Sequence, residues 1–406
     1  MNGSDRRNIN LAILVAALGY FVDVYDLLLF SILRVKSLVD LGVPQAEVLP
    51  TGVHLINMQM TGLLIGGIFW GIMADRIGRR AVLFGSILIY SIGNIANGLA
   101  QTVDQYAWLR FVTGLGLAGE LGAGITLVAE IMSREGRGYG TTLVASLGLL
   151  GAVVAGSVGD LFPWRTAYFI GGGLGLSLLA LRIGVRESSM FTAIKGKKLG
   201  QGNFLLLFSS MARVRRYVGV VMVGLPTWFT MGILITFSPE IGKALGLDPA
   251  PSAGRAVMFA YIGAAVGDLI SGVLSQLLQS RRKALAIFIT LCGVGIANYF
   301  VIGPISLPIF YVACFFVGAL GGYWAVFMTV ASEQFGTNLR ATVASTAPNF
   351  VRGAVVPLTL GFQALKPALG IPGSAMAVGA TALAIAYVSL AGIEETYGKD
   401  LDYVET

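Results

Sequence analysis

Charge is what this chain has least of: Asp, Glu, Lys and Arg make up 12% of its 406 residues, against 55% that are hydrophobic. A soluble protein of this size covers its surface with roughly twice that share of charge, so a water-facing globule is excluded. Histidine occurs once, at His54, and cysteine twice, at Cys292 and Cys314. There is no histidine paired with a nucleophile, no spaced metal-ligand cluster and no glycine-rich phosphate loop, so the residues offer no constellation for enzyme chemistry, and no cofactor or metal is expected. Both cysteines fall in apolar stretches and read as small packing residues. No small-residue cleavage site follows the first apolar stretch, which is therefore expected to stay as a helix.

What is there is apolar length. Crossing the ~30 Å hydrocarbon core takes roughly 20 apolar residues, and twelve such stretches occur, near 9–33, 52–74, 81–100, 105–129, 139–160, 164–185, 217–239, 255–278, 284–302, 307–330, 342–364 and 374–393. The 55 glycines predict close helix packing. A net charge of +7 reflects Lys and Arg gathered in alternate loops, not a nucleic-acid surface. Such loops resist translocation, which places both termini in the cytoplasm. The polar segment around Lys195, Lys197 and Lys198 divides six spans from six. Glu130 and Arg137 reappear as Glu333 and Arg340, both 203 positions on, and GIMADRIGRR from Gly71 is echoed by GVLSQLLQSRR from Gly272. The expectation is an all-α membrane protein of two parallel six-helix bundles, over 1–186 and 217–393, with a cytoplasmic linker at 187–216, a tail at 394–406 and a site between the bundles near the midplane.

Gly71, Asp75, Arg76, Gly78, Arg79 and Arg80 between spans two and three resemble the G-x-x-x-D-R-x-G-R-R signature of the major facilitator superfamily. Arg110, Gly114, Gly116, Gly119, Glu130, Arg137 and Gly138 are similar to the fourth-span pattern of its sugar and organic-anion branches. The resemblance implies two bundles alternating in access and assigns gating to Gly71, Asp75, Arg76, Gly78, Arg79, Glu130, Arg137, Glu333 and Arg340 through charge clusters at the cytoplasmic helix ends.

An ionisable group within a bilayer costs several kcal/mol unless paired or wetted, so each one is a candidate for function. Asp23 and Asp26 share one face of the first span, and Arg110 enters the fourth span at a similar depth. This D-x-x-D resembles aromatic-acid and phosphate symporters, and a Tyr-Asp pair facing a fourth-helix arginine resembles sugar symporters; both imply proton coupling, with Asp26 as carrier ahead of Asp23. The alternative is that one aspartate is a fixed counter-ion to Arg110. Arg352, beside Pro348 and Asn349, is the best anion ligand, since guanidinium stays charged and meets carboxylate or phosphate bidentately; otherwise it pairs internally with Asp268. Glu120 either contacts substrate or packs as a satisfied polar residue. Trp228, Tyr323 and Trp324 are candidate cavity walls. His54 reads as interfacial, and the acidic tail as solvated.

These readings converge on a monomeric proton symporter of a small organic acid or other anionic metabolite in a bacterial inner membrane, driven by the proton gradient. Its partners are the solute, protons and lipid, with no nucleic acid. A proton-coupled exporter of drugs or metabolites and a sugar symporter share the same motifs; a membrane enzyme or sensor does not.

Overall fold

A computed structural model describes residues 3–77, 79–120, 137–182 and 204–399, and every regular element among them is helical. Gly78, Glu130, residues 400–406 and much of the expected linker lie outside the described residues, as do the side chains of Asp75, Arg79 and Arg137. The first half contains α1 (Gly3–Asp40), α2 (Val48–Ile77), α3 (Arg79–Leu99), α4 (Val103–Leu117), α5 (Arg137–Leu161) and α6 (Trp164–Arg182). The second contains α7 (Met211–Val223), α8 (Leu225–Phe229), α9 (Ser238–Ala244), α10 (Ala253–Leu277), α11 (Arg281–Val301), α12 (Leu307–Leu320), α13 (Trp324–Glu333), α14 (Thr337–Gly353) and α15 (Val355–Ala391).

Among the described residues, seven segments are each long and apolar enough to cross a bilayer, and Met211–Val223 with Leu225–Ile235 forms an eighth, bent by 41°. One of the seven, Thr342–Ala391, has 50 residues, far more than the roughly 20 that one crossing needs. Gly370 breaks it with φ 66° and ψ −178°, a region open essentially to glycine alone, so the stretch makes two crossings. The helices α4, α5 and α6 stand where three further crossings are expected.

Several spans are interrupted along their length. The seventh span bends at Gly224, just before Pro226, whose ring removes a backbone donor, and widens to a π turn over Thr230–Ile235. The tenth breaks at Gly321–Tyr323. Pro348 lies inside α14 without ending it, and the interruption comes at Ala354.

The two halves repeat one packing device. In the pair α2–α4, a Cβ on Gly62, Gly66 or Gly114 would overlap the carbonyl of Phe111, Leu115 or Gln59; in α10–α12, a Cβ on Gly263, Gly267 or Gly318 would overlap that of Phe315, Ala319 or Ala260. Without a hydrophobic drive between helices in lipid, such backbone contact supplies the van der Waals attraction that holds them.

The halves meet through α1, α2 and α5 on one side and α10, α14 and α15 on the other. At the end opposite the termini, fully buried Arg34 bonds Glu240 at 2.7 Å, Ser31 meets Thr236, and Asp160 accepts from Ser252. Nearer the termini, Gly71 lies against Thr346 and Gly67 against Asn349.

Candidate functional site

Gly19, Asp23 and Asp26 follow one another at i, i+4 and i+7, which aligns them on one face of α1. Each level of that face meets an arginine from a different helix.

At the middle level the Asp23 carboxylate faces Arg352 of α14, Nη2 to Oδ2 at 3.5 Å, both side chains buried. The ion pair open to Arg352 is thus made with Asp23 of the other half, not with Asp268. Arg352 also lies over the Trp228 ring, 5.6 Å from its centroid. Asp23 Oδ1 and Arg352 Nε and Nη1 have no hydrogen-bond partner among the described residues. Tyr20 and Tyr261 lie within electrostatic reach of the pair. Trp228 packs on Trp324 at 6.2 Å, and Trp324 stacks on Phe327 at 4.8 Å. Tyr323 turns away, donating its hydroxyl to the Val223 carbonyl at 2.8 Å. Asp268 accepts from the Ala325 N–H at 3.3 Å and so caps the first turn of α13, supplying an acceptor where the break in span ten leaves donors unpaired. Asn349 donates to the Ala118 carbonyl at 3.0 Å, tying α14 to the chain just after α4.

At the upper level Asp26 lies beside Asn94 and within electrostatic reach of Arg110, yet neither carboxylate oxygen has a hydrogen-bond partner among the described residues. Gly171 of α6 leaves it room, since a Cβ there would overlap Oδ1. Arg110 donates to the Tyr168 hydroxyl at 3.4 Å and lies over the rings of Phe30 and Tyr168, at 5.5 and 5.6 Å. No direct Asp26–Arg110 ion pair is formed in this arrangement.

At the lower level Glu120 is held by Arg182 through both carboxylate oxygens, one bond 3.1 Å long, in a buried pair that fills the space over Gly19. Glu120 is therefore fully engaged within the protein here. Glu333, expected at a gate between the halves, pairs with Arg281 at 3.4 Å and accepts from Thr396 at 2.7 Å, both in its own half. Arg340 donates to the Ser332 carbonyl at 3.2 Å. His54 is exposed near the start of α2. The tail is anchored where solvation was expected: Glu395 accepts from the Ser280 hydroxyl and from the N–H groups of Arg281, Arg282 and Tyr397.

Sequence reasoning overlooked Arg34 and Arg182, because each sits at the edge of an apolar run where a basic residue reads as a loop charge. It also passed over Tyr106, although its place four residues before Arg110 in α4 puts both on one helix face.

The model of the Major Facilitator Superfamily matches residues 10–359, and the chain belongs to that family. It is 26% identical over 393 residues, 94% of this chain and 89% of the relative, to a probable 4-methylmuconolactone transporter of Cupriavidus pinatubonensis. It is 29% identical over 306 residues, 72% of each chain, to the 3-(3-hydroxy-phenyl)propionate transporter of Escherichia coli. Among solved structures, a D-xylose-proton symporter superposes with a TM-score of 0.74 at 19% identity, covering 97% of this chain and 100% of that one. The E. coli xylose transporter in a partially occluded inward-open conformation gives 0.76 at 16%, with the same coverage. The fold is accordingly the 12-helix, two-domain fold of this family. The protein is a multi-pass membrane transporter of small molecules, not an enzyme.

Proposed function

We propose that this transporter is a proton-coupled symporter that imports a small organic acid, or a comparable anionic metabolite, by alternating access. The observation that carries this is the buried Asp23–Arg352 pair joining the two halves, one helical turn from Asp26. A proton on Asp23 releases Arg352 to meet the solute's carboxylate, and Trp228 and Trp324 flank its apolar part. Binding of the anion at Arg352 then depends on protonation of this helix face, which is the condition for symport. Asp26 carries the transported proton, and Arg110 stabilises its ionised form once the proton has left. The 3-(3-hydroxy-phenyl)propionate named for one relative is a carboxylic acid, which supports the solute class.

The rest of the scheme is part of the same proposal. The protein works as a monomer in a bacterial inner membrane, with both termini cytoplasmic, as its basic loops favour. The bundles span 1–186 and 217–393, joined by 187–216, with a tail at 394–406. The proton gradient supplies the energy without a cofactor. Asp75, Arg76 and Arg79, with Gly71 and Gly78, gate the cytoplasmic side together with Glu130, Arg137, Glu333 and Arg340.

A thermal-shift screen of purified protein with mono- and dicarboxylates, phosphate esters, sugars and hydrophobic cations, at acidic and neutral pH, tests the reading. The expected result is stabilisation by a carboxylate, greater at acidic pH and abolished in Arg352→Gln. Stabilisation by hydrophobic cations alone would sink the symporter and leave an exporter standing.

A further inference from the structure

Asp26 is completely buried, so a proton bound for it needs a path. Arg110 donates to the Tyr168 hydroxyl at 3.4 Å, and Tyr168 shares a 2.6 Å hydrogen bond with the hydroxyl of Tyr106. Tyr106 donates in turn to Ser37 Oγ at 3.3 Å, and Ser37 to the Arg34 carbonyl at 3.2 Å. Tyr168, Tyr106 and Ser37 are wholly buried, and the run leads away from Asp26 toward the end opposite the termini. There, three residues after Ser37, the Asp40 side chain is 54% exposed and takes a hydrogen bond from Trp164 Nε1 at 2.9 Å.

We propose that these hydroxyls form a proton-entry route lying inside the first half, separate from the solute cavity at Arg352. The route presupposes proton-coupled symport with Asp26 as carrier. As they stand the hydrogens point outward, from Tyr106 to Ser37 and from Ser37 to the Arg34 carbonyl, so inward transfer begins with each hydroxyl turning about its C–O bond toward Asp26. Each then releases its proton inward and accepts one from its outer neighbour, Ser37 from bulk water entering past Asp40, so one proton leaves water, one appears on the Asp26 carboxylate, and the outward pattern is regained. The last transfer is from Tyr168, whose hydroxyl turns from Tyr106 to the Asp26 carboxylate, both of whose oxygens are without a hydrogen-bond partner among the described residues; Tyr168 precedes Gly171 by one turn of α6, and it is Gly171 that leaves room for Asp26. Arg110 stays charged throughout and holds Tyr168 in place. The titratable and polar groups within electrostatic reach of Asp26 are Asp23 and Tyr25 on its own helix, Tyr90 and Asn94 on α3, Arg110 on α4 and Tyr168 on α6.

Ring packing alone does not account for this arrangement. Tyr106 meets Phe30 edge-on at 5.3 Å and Tyr168 at 5.9 Å, contacts that phenylalanine would make equally well. Burying the hydroxyls carries a desolvation cost that phenylalanine avoids.

The test needs no solute. In liposomes holding the full chain, a pH jump is followed by time-resolved infrared spectroscopy, reading the protonated-carboxyl band that Asp26→Asn removes. Tyr106→Phe keeps the ring and does not touch Arg110; it should slow the rise of that band by about tenfold or more while its final amplitude and titration midpoint stay unchanged. Tyr168→Phe should slow it comparably and also move the midpoint. An unchanged rate in Tyr106→Phe overturns the route and leaves symport intact. A wild-type protein with no titrating band that Asp26→Asn removes overturns the carrier assignment and the route together. Should Tyr106→Phe fail to fold, Ser37→Ala interrupts the same chain with the same expected slowing.

Discussion

The two halves share a scaffold and divide the chemistry. Both clasp a pair of helices through glycines in direct contact with a facing backbone, α2 with α4 and α10 with α12. Their charges differ. Among the described residues, the first half buries Asp23, Asp26, Arg34, Arg110, Glu120 and Arg182, whereas the second buries Arg213 and Arg352 and lines its part of the site with Trp228 and Trp324. A duplicated fold has therefore kept its packing in both copies and concentrated ionisable side chains in one. Packing of this kind answers to the bilayer, which both halves face alike; buried charge answers to function, which need be placed only once.

Three measurements break or sharpen that contrast. The largest effect is expected where the first half depends on its charge. Arg182→Met leaves Glu120 buried without its cation and should cost about 3–5 kcal/mol, with most of it restored when Glu120→Gln is added. In the second half, Asp268→Asn keeps an oxygen to accept from Ala325 and should cost only about 1 kcal/mol. Thermal unfolding in detergent compares the two, and equal losses would erase the difference between the halves. Next come the matched glycines. Gly66→Val and Gly267→Val both force a side chain into a facing carbonyl, and each should cost at least about 1–3 kcal/mol. A large loss in one alone would show that the clasp matters in only one copy.

The smallest effect is at the anchored tail. Burial raises the pKa of Glu395, but the hydrogen bonds from Ser280 and from the N–H groups of Tyr397, Arg281 and Arg282 outweigh it and hold the carboxyl at about 2, below its ordinary 4.5. The sign follows directly: the tail contact is at full strength above pH 4.5 and is lost as pH falls toward 2. Hydrogen exchange at residues 393–397 should rise over that window relative to a reference segment, and Glu395→Gln should remove the pH dependence.

Much of the fold could be read from the chain, because a bilayer permits few solutions: runs of about 20 apolar residues, the Glu–Arg repeat, and DRIGRR between the second and third runs. The site was legible in part. Asp23, Asp26, Arg110 and Arg352 stand out as charges in apolar surroundings, which a one-dimensional reading detects. Which of them face one another does not, since the pairing of Asp23 with Arg352 joins residues 329 positions apart across the two halves. Arg182 was hidden for a related reason: its position at a helix end suggests a solvated loop charge, and only the space over Gly19 shows that it turns inward to Glu120. The helix breaks at Gly224 and Gly321–Tyr323 depend on neighbours such as Asp268, which supplies the hydrogen bond that makes the second break tolerable.

The Asp23–Arg352 pair has a further consequence for anyone measuring affinity. On the proposed reading the resting carrier already holds a carboxylate at its anion ligand, and that carboxylate is its own. A solute competes with an intramolecular rival that never diffuses away, so the observed dissociation constant exceeds the intrinsic one by the reciprocal of the fraction of carriers in which Arg352 is unengaged. Changing the strength of that rival would then retune the carrier's working concentration range without altering any residue that touches the rest of the solute.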